Sequence, residues 1–166
     1  MEFELIHHFE ASLPAFVKAV YFDSELNQRL LKMKNISHRE VKEIKDGPDK
    51  ATRLMYIEAA SAIPREARAL VGDKLSWNEV STLDKKTNTV SFEIQPTMKL
   101  PLECKGRYEM TAEGAGKVRR VISGDVRVRI LLIGKTIEKF VVNQLVASFE
   151  EEEIIVRDYL RETAKS

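Results

Sequence analysis

The stretch 134-GKTIEKFVVNQLVASFEEEEIIVRDYLRETAK-165 decides the fold, because from Gly134 to Lys165 it contains no proline and no internal glycine and it follows a long series of strand-like segments. Nothing in it interrupts an intrahelical hydrogen-bond ladder, so it predicts one long terminal helix. Ile133 just ahead of it, then Ile137, Phe140, Val141, Leu145, Phe149, Ile155 and Tyr159, with Ser148 in the same register, recur at steps of three and four. One face is therefore built for burial and the other for water. That face needs a concave partner, which the strands upstream can supply.

Working back to the start, Phe3, Leu5, His7 and Phe9 alternate with Glu2, Glu4, His8 and Glu10, the period of a half-buried strand, with Ile6 the one lapse on the outer face. Ser12 with Pro14 in the first turn predicts a short helix over Ala15 to Tyr21, and Asp23 or Ser24 caps a second that carries Leu26, Leu30, Leu31 and Met33. Ile36 to Lys45 alternates weakly, Asp46-Gly47-Pro48-Asp49 is a turn, and Ala51 to Ala60 pairs back as a hairpin. Ile63 to Val71 has room for one or two helical turns. Strands follow at Lys74 to Leu83, Thr89 to Gln95, Leu102 to Ala112 and Lys117 to Ile130, separated by hairpin-sized gaps. Gly124, inside the last of these, is expected to mark a bulge or a sharp bend. The order is thus a strand, two short helices, six strands and a long helix, with no internal repeat or linker, and residues 1–166 are expected to form one domain.

With 43% hydrophobic and 32% charged residues the chain suits a globular domain with a sizeable core, not a disordered or fibrous one. Lys and Arg number 27 against 26 Asp and Glu, so no global field draws it to nucleic acid or to an anionic membrane. The single Cys104 excludes an intramolecular disulfide framework and a cysteine zinc site, which favours a reducing cytoplasm. The opening Met1-Glu2-Phe3-Glu4 is not a leader, and the longest aliphatic run, Ile130 to Ile133, is too short to span a bilayer. A cytoplasmic location without integral membrane association is the expectation.

This order of elements, together with Ile133-Gly134-Lys135-Thr136-Ile137-Glu138 at the last strand-to-helix junction, where a glycine opens the helix and an aliphatic-glutamate pair follows, resembles the START-like superfamily. That superfamily, also called SRPBCC or helix-grip, includes lipid-transfer domains, the birch-pollen allergen family, polyketide cyclases and a heat-shock co-chaperone domain. The resemblance covers the whole chain and is nearest to bacterial members of unassigned activity. It implies an α+β fold, with a seven-stranded curved antiparallel sheet gripping a long C-terminal helix and two short helices after strand 1. It also implies a cavity between sheet and helix for a hydrophobic or amphipathic small molecule such as a lipid, and it implies no particular reaction and no cofactor.

The residues that could serve such a cavity are mostly apolar or aromatic. His7 and His8 are adjacent in a strand, so they point to opposite faces and cannot ligate one metal, and His38 lies far along the chain; no metal site is expected. His7 falls in line with Phe3, Leu5 and Phe9, where an imidazole needs a hydrogen-bond partner, either from the protein or from a ligand. Leu75, Trp77, Glu79, Ser81 and Leu83 share one face, Val90, Phe92 and Ile94 another, and Cys104, Gly106, Tyr108 and Met110 a third. If these faces are concave, Glu79 points its carboxyl at apolar neighbours and its pKa rises unless a cation compensates. In the strand from Ala51 to Ala60, Tyr56 and Glu58 share one face and Met55 and Ile57 the other, and periodicity does not choose between them. The expected ligand contacts are His7, Tyr56, Trp77, Glu79, Phe92 and Tyr108 from the sheet and Ile137 and Val141 from the helix.

No Gly-x-Ser-x-Gly elbow or glycine-rich phosphate loop is present, nothing activates Cys104, and no catalytic residue is assigned. Arg119, Arg127 and Arg129 alternate with valines as one solvated sheet face does, among further basic residues that include Lys117, Arg120, Lys135 and Lys139; Glu150 to Glu153 forms an acidic run in the helix. Two alternatives stand beside ligand binding. One is a cyclase or dehydratase using His7, Tyr56, Tyr108 or Glu79 as acid or base in the same cavity. The other is a protein-interaction module whose interior is filled by side chains.

Overall fold

The structure, a computed structural model, describes residues 1–60 and 63–165. Seven antiparallel strands form one sheet in the order β1-β7-β6-β5-β4-β3-β2. The elements in chain order are β1 (Glu2–Glu10), α1 (Leu13–Phe22), α2 (Ser24–Leu30), β2 (Ile36–Asp46), β3 (Lys50–Ala59), α3 (Arg65–Val71), β4 (Ser76–Asp84), β5 (Thr89–Pro96), β6 (Leu102–Ala112), β7 (Lys117–Val128) and α4 (Gly134–Thr163). The sheet is a meander from β2 to β7, with β1 added beside β7, so α1 and α2 carry the chain from one edge of the sheet to the other.

Local chemistry fixes the connections. Ser12 Oγ accepts from Ala15 N at 3.3 Å to open α1, and Asp23 Oδ1 accepts from Glu25 N and Leu26 N at 2.8 and 3.0 Å to open α2. Glu138 joins β7 to α4: its Oε1 accepts from Val128 N at 3.0 Å, and its Oε2 accepts from Lys135 Nζ at 2.8 Å. Gly134 is needed there, because a Cβ on it would sit 2.5 Å from the Val128 carbonyl oxygen. The aliphatic-glutamate pair after the glycine therefore has a structural task, with Ile137 buried in the core and Glu138 tying the helix to the strand.

The concave face is set by alternation. Phe3, His7 and Phe9 of β1, Ala51, Arg53, Met55 and Ile57 of β3, Glu79, Ser81 and Leu83 of β4, and Val118, Arg120, Ile122, Val126 and Val128 of β7 are buried, while their neighbours are more exposed. Onto this face α4 lays Ile137, Val141, Val142, Leu145, Phe149, Val156, Tyr159 and Leu160. At its far end α4 also meets the short helices, through Tyr159 Oη donating to Asp23 Oδ2 at 2.7 Å and Arg29 donating to Glu162 at 2.6 Å.

One expectation from the sequence is corrected. Gly124 is not a bulge: the pairing of β7 runs through it without a shift on both sides. It faces Phe3 across β1 and Gly106 across β6, and a Cβ on it would stand 2.7 Å from the Phe3 ring. The paired glycines let two aromatic rings lie against bare backbone, which is a packing requirement. The bulges lie in β2, where the register shifts between Ile36 and His38 and between Val41 and Glu43. Each inserted residue flips the facing of the residues after it, which is why that strand alternates so weakly in sequence.

Candidate ligand-binding cavity

Between the concave face, α4 and the pair α1–α2 lies an internal cavity of about 100 Å³. That is smaller than the roughly 300–1,000 Å³ of drug-sized sites, although it exceeds the ~10–15 Å³ that one water needs by several-fold. Large side chains entering from opposite walls account for the size, among them Trp77 and Tyr108 from the sheet and Phe149 from α4. Most of the wall is apolar, with Met55, Ile57, Val90, Ile94 and Met110 from the strands and Val141, Leu145 and Val156 from the helix.

One side of the cavity is charged. Arg39, Arg53, Glu79, Arg120 and Glu152 all line it, with Tyr108 between. Arg120 is closed off by partners: it donates to Glu152 Oε1 at 2.7 Å through Nη1 and to His7 Nδ1 at 2.9 Å through Nη2. Arg53 is 5% exposed and lies over the Tyr21 ring at 4.6 Å, and its Nη1 donates to the carbonyl oxygens of Val20 and Tyr21 at 3.2 and 3.3 Å. Its Nη2 comes no nearer than 3.8 Å to Glu79 Oε1, an ion pair without a hydrogen bond. Arg53 Nε, Glu79 Oε1, Trp77 Nε1 and Arg120 Nε are buried polar atoms with no hydrogen-bond partner. Native interiors rarely leave such atoms unpaired, and all four residues line this cavity.

The electrostatics follow from burial. Desolvation pushes the Glu79 carboxyl above the ordinary carboxylate range, against the pull of Arg53 and Arg39. Burial alone would raise Glu152 too, but Arg120 at hydrogen-bond distance, helped by Arg39 and Arg53, holds it below that range. Burial raises the Tyr108 hydroxyl, and the Glu79 charge adds to it. His7 is lowered by burial and by Arg120, with Glu153 and Glu152 opposing. Burial takes the Cys104 thiol up to about 12, so it is an inert core residue.

Of the residues expected from sequence to touch a ligand, Trp77, Glu79, Tyr108 and Val141 line the cavity. Phe92 and Ile137 are buried behind it, Phe92 stacked on Tyr108 at 5.0 Å between ring centroids. His7 is on the concave face but stands behind Arg120, so it reaches the cavity only through that side chain. Tyr56 departs most. The Met55 and Ile57 face of β3 is the concave one, and Tyr56 is outside, donating to Glu58 at 2.8 Å beside His38. Arg39, Arg53, Arg120 and Glu152 are the residues that the reading of the sequence missed. The signal was present for three of them: Arg53 alternates with Met55 and Ile57, Arg120 with Val118 and Ile122, and Glu152 continues the helical spacing of Leu145, Phe149 and Val156. Among the described residues no cluster of three or more His, Cys, Asp or Glu could hold a metal ion, and no helix is long and apolar enough to cross a membrane.

The model of a family described as proteins of unknown function, DUF2505, matches residues 4–160. The chain belongs to the DUF2505 family. No curated protein matches it. Among solved structures, the DUF2505 chain is similar to TTHA0849 from Thermus thermophilus, at 16% identity and a TM-score of 0.66 over 94% of this chain and 97% of that one. The Zhui aromatase/cyclase of a Streptomyces species gives 12% identity and a TM-score of 0.66 over 94% and 93%. A START superfamily protein from Mycobacterium smegmatis gives 12% and 0.63 over 95% and 98%. At these identities the likeness is one of fold alone: this DUF2505 member shares the overall fold of those structures.

Proposed function

We propose that this protein binds a small amphipathic molecule, with its apolar part among Met55, Leu145 and Val156 and its polar part at Arg53 and Glu79. The observation that carries the reading is the internal cavity, apolar on most sides, at whose one polar wall Arg53, Glu79 and Trp77 keep buried atoms without partners. A compact ligand fits the volume as it stands; a long-chain lipid requires the walls to move apart. In this reading residues 1–166 act as one ligand-binding domain, in a cytoplasm where the Cys104 thiol stays free. The cyclase or dehydratase alternative has one observation in its favour, the adjacent Glu79 carboxyl and Tyr108 hydroxyl. Of its candidate acids and bases, His7 does not line the cavity, standing behind Arg120.

Trp77 is the only tryptophan and it lines the cavity, so its fluorescence reports occupancy directly. Titration with n-alkanols and n-alkanoates of four to ten carbons is expected to change that fluorescence saturably and to raise the melting temperature. Ser148→Phe, which fills the cavity from α4, is expected to abolish both effects while the far-ultraviolet circular dichroism stays native. An absence of saturable binding across both series, or binding that Ser148→Phe leaves intact, overturns the proposal.

A further inference from the structure

The cavity wall carries more positive than negative charge, whichever protonation state Glu79 adopts. Arg120 and Glu152 neutralise one another at 2.7 Å. Arg53 and Arg39 are then left against Glu79 alone. With Glu79 ionised the surplus is one positive charge, and with Glu79 protonated it is two. Arg39 gains no separate anion: the acids that act on it are the same Glu152 and Glu79, and its hydrogen bond goes to the neutral Asn27 side chain. Arg39 is half-buried, whereas Arg53 is 5% exposed and has only the 3.8 Å approach to Glu79 as counter-charge, so it is the buried Arg53 that favours an anion joining it.

The donor geometry narrows the choice. A guanidinium presents five N–H donors in a planar fork, and Arg53 commits Nη1 to the backbone while its Nε has no partner and its Nη2 has only the 3.8 Å approach to Glu79. The Nε and Nη2 edge is the one that pairs side by side with two carboxylate oxygens. The neighbouring Glu79 carboxyl, whose Oε1 also has no partner, donates to a bound carboxylate when it is protonated and repels one when it is ionised.

Building on the binding reading above, we infer that the ligand is an organic acid, a short alkyl or aryl carboxylate whose carboxylate group docks on the Nε–Nη2 edge of Arg53, with Arg39 supplying the balancing charge.

The test compares matched pairs, each n-alkanoate with the n-alkanol of the same length, in the intact protein by Trp77 fluorescence and by calorimetry. The carboxylate is expected to bind at least about tenfold more tightly than its alcohol, as a charge-assisted pair exceeds a neutral one. Arg53→Gln and, separately, Arg39→Gln are expected to bring that ratio down toward one, and the second keeps the site testable if loss of the Arg53 bonds to α1 prevents folding. Equal affinities within each pair overturn the inference and leave ligand binding standing. A preference that survives both substitutions overturns the assignment to these arginines. Failure of both series to bind removes the binding reading and the inference together.

Discussion

Gly106→Ala isolates a demand that the fold places on one residue. Gly106 lies on the concave alternation of β6, opposite Gly124 of β7 and Phe92 of β5. A Cβ there would meet Phe92 Cζ at 2.3 Å and the Ser123 carbonyl oxygen at 2.6 Å, where ordinary contact begins at 3.4 Å. The ring would have to retreat by about 1.1 Å, and it is held by Tyr108 at 5.0 Å and Phe149 at 6.4 Å between centroids. The carbonyl belongs to β7 and cannot retreat without disturbing the ladder. Overpacking of this kind costs roughly 1–3 kcal/mol. For a chain of this length each kcal/mol is worth about 2–4 °C, so the melting temperature should fall by roughly 2–12 °C. Gly116→Ala is the internal control, since nothing lies within 4 Å of its added Cβ and its backbone is not left-handed; it should be neutral or gain up to about 1 kcal/mol. Urea unfolding followed by circular dichroism, with the slope m unchanged, measures both. A Gly106→Ala protein within about 0.5 kcal/mol of the wild type, or no less stable than Gly116→Ala, would refute the account of the paired glycines.

Two further predictions concern pH. The Glu79 carboxyl, raised by burial, holds its proton more tightly folded than unfolded, so its contribution to stability falls as pH rises from the ordinary 4.5 through its folded value. Glu79→Gln should therefore gain on the wild type as pH is raised from 4 to 8, and a gap that stays flat in denaturation curves would sink this reading. His7 works in the opposite direction: its folded pKa is lowered from 6.5, so its contribution is complete above pH 6.5 and is lost as pH falls through the folded value. Nitrogen-15 NMR should find a neutral ring at pH 6.5, with Nδ1 unprotonated and accepting from Arg120; a ring that titrates at or above 6.5 would contradict it.

Some of this protein could be read without a structure. Proline-free length and spacing by three and four determined α4, because a helix keeps its ladder and its apolar stripe within one segment of chain. Strict alternation determined the inward face of β1, and which residues of β4, β5 and β6 share a face, for the same local reason. The side chosen by β3 was not local: Tyr56 and Met55 are equally good strand residues, and only pairing with β2 and β4 sends Tyr56 outward. The two bulges of β2 hid its facing, and Gly124 looked like a bulge because sequence shows a missing side chain but not the Phe3 ring that takes its place. The charged wall was the least legible part. Arg53 and Arg120 alternate as core residues do, yet charge alone marks them as solvent-facing, and what makes them tolerable inside is the partners brought to them from afar, Glu79 across one strand and Glu152 from α4. Local periodicity decides which way a side chain points; whether a charge can stay there depends on groups distant in sequence, and those only the tertiary structure brings together.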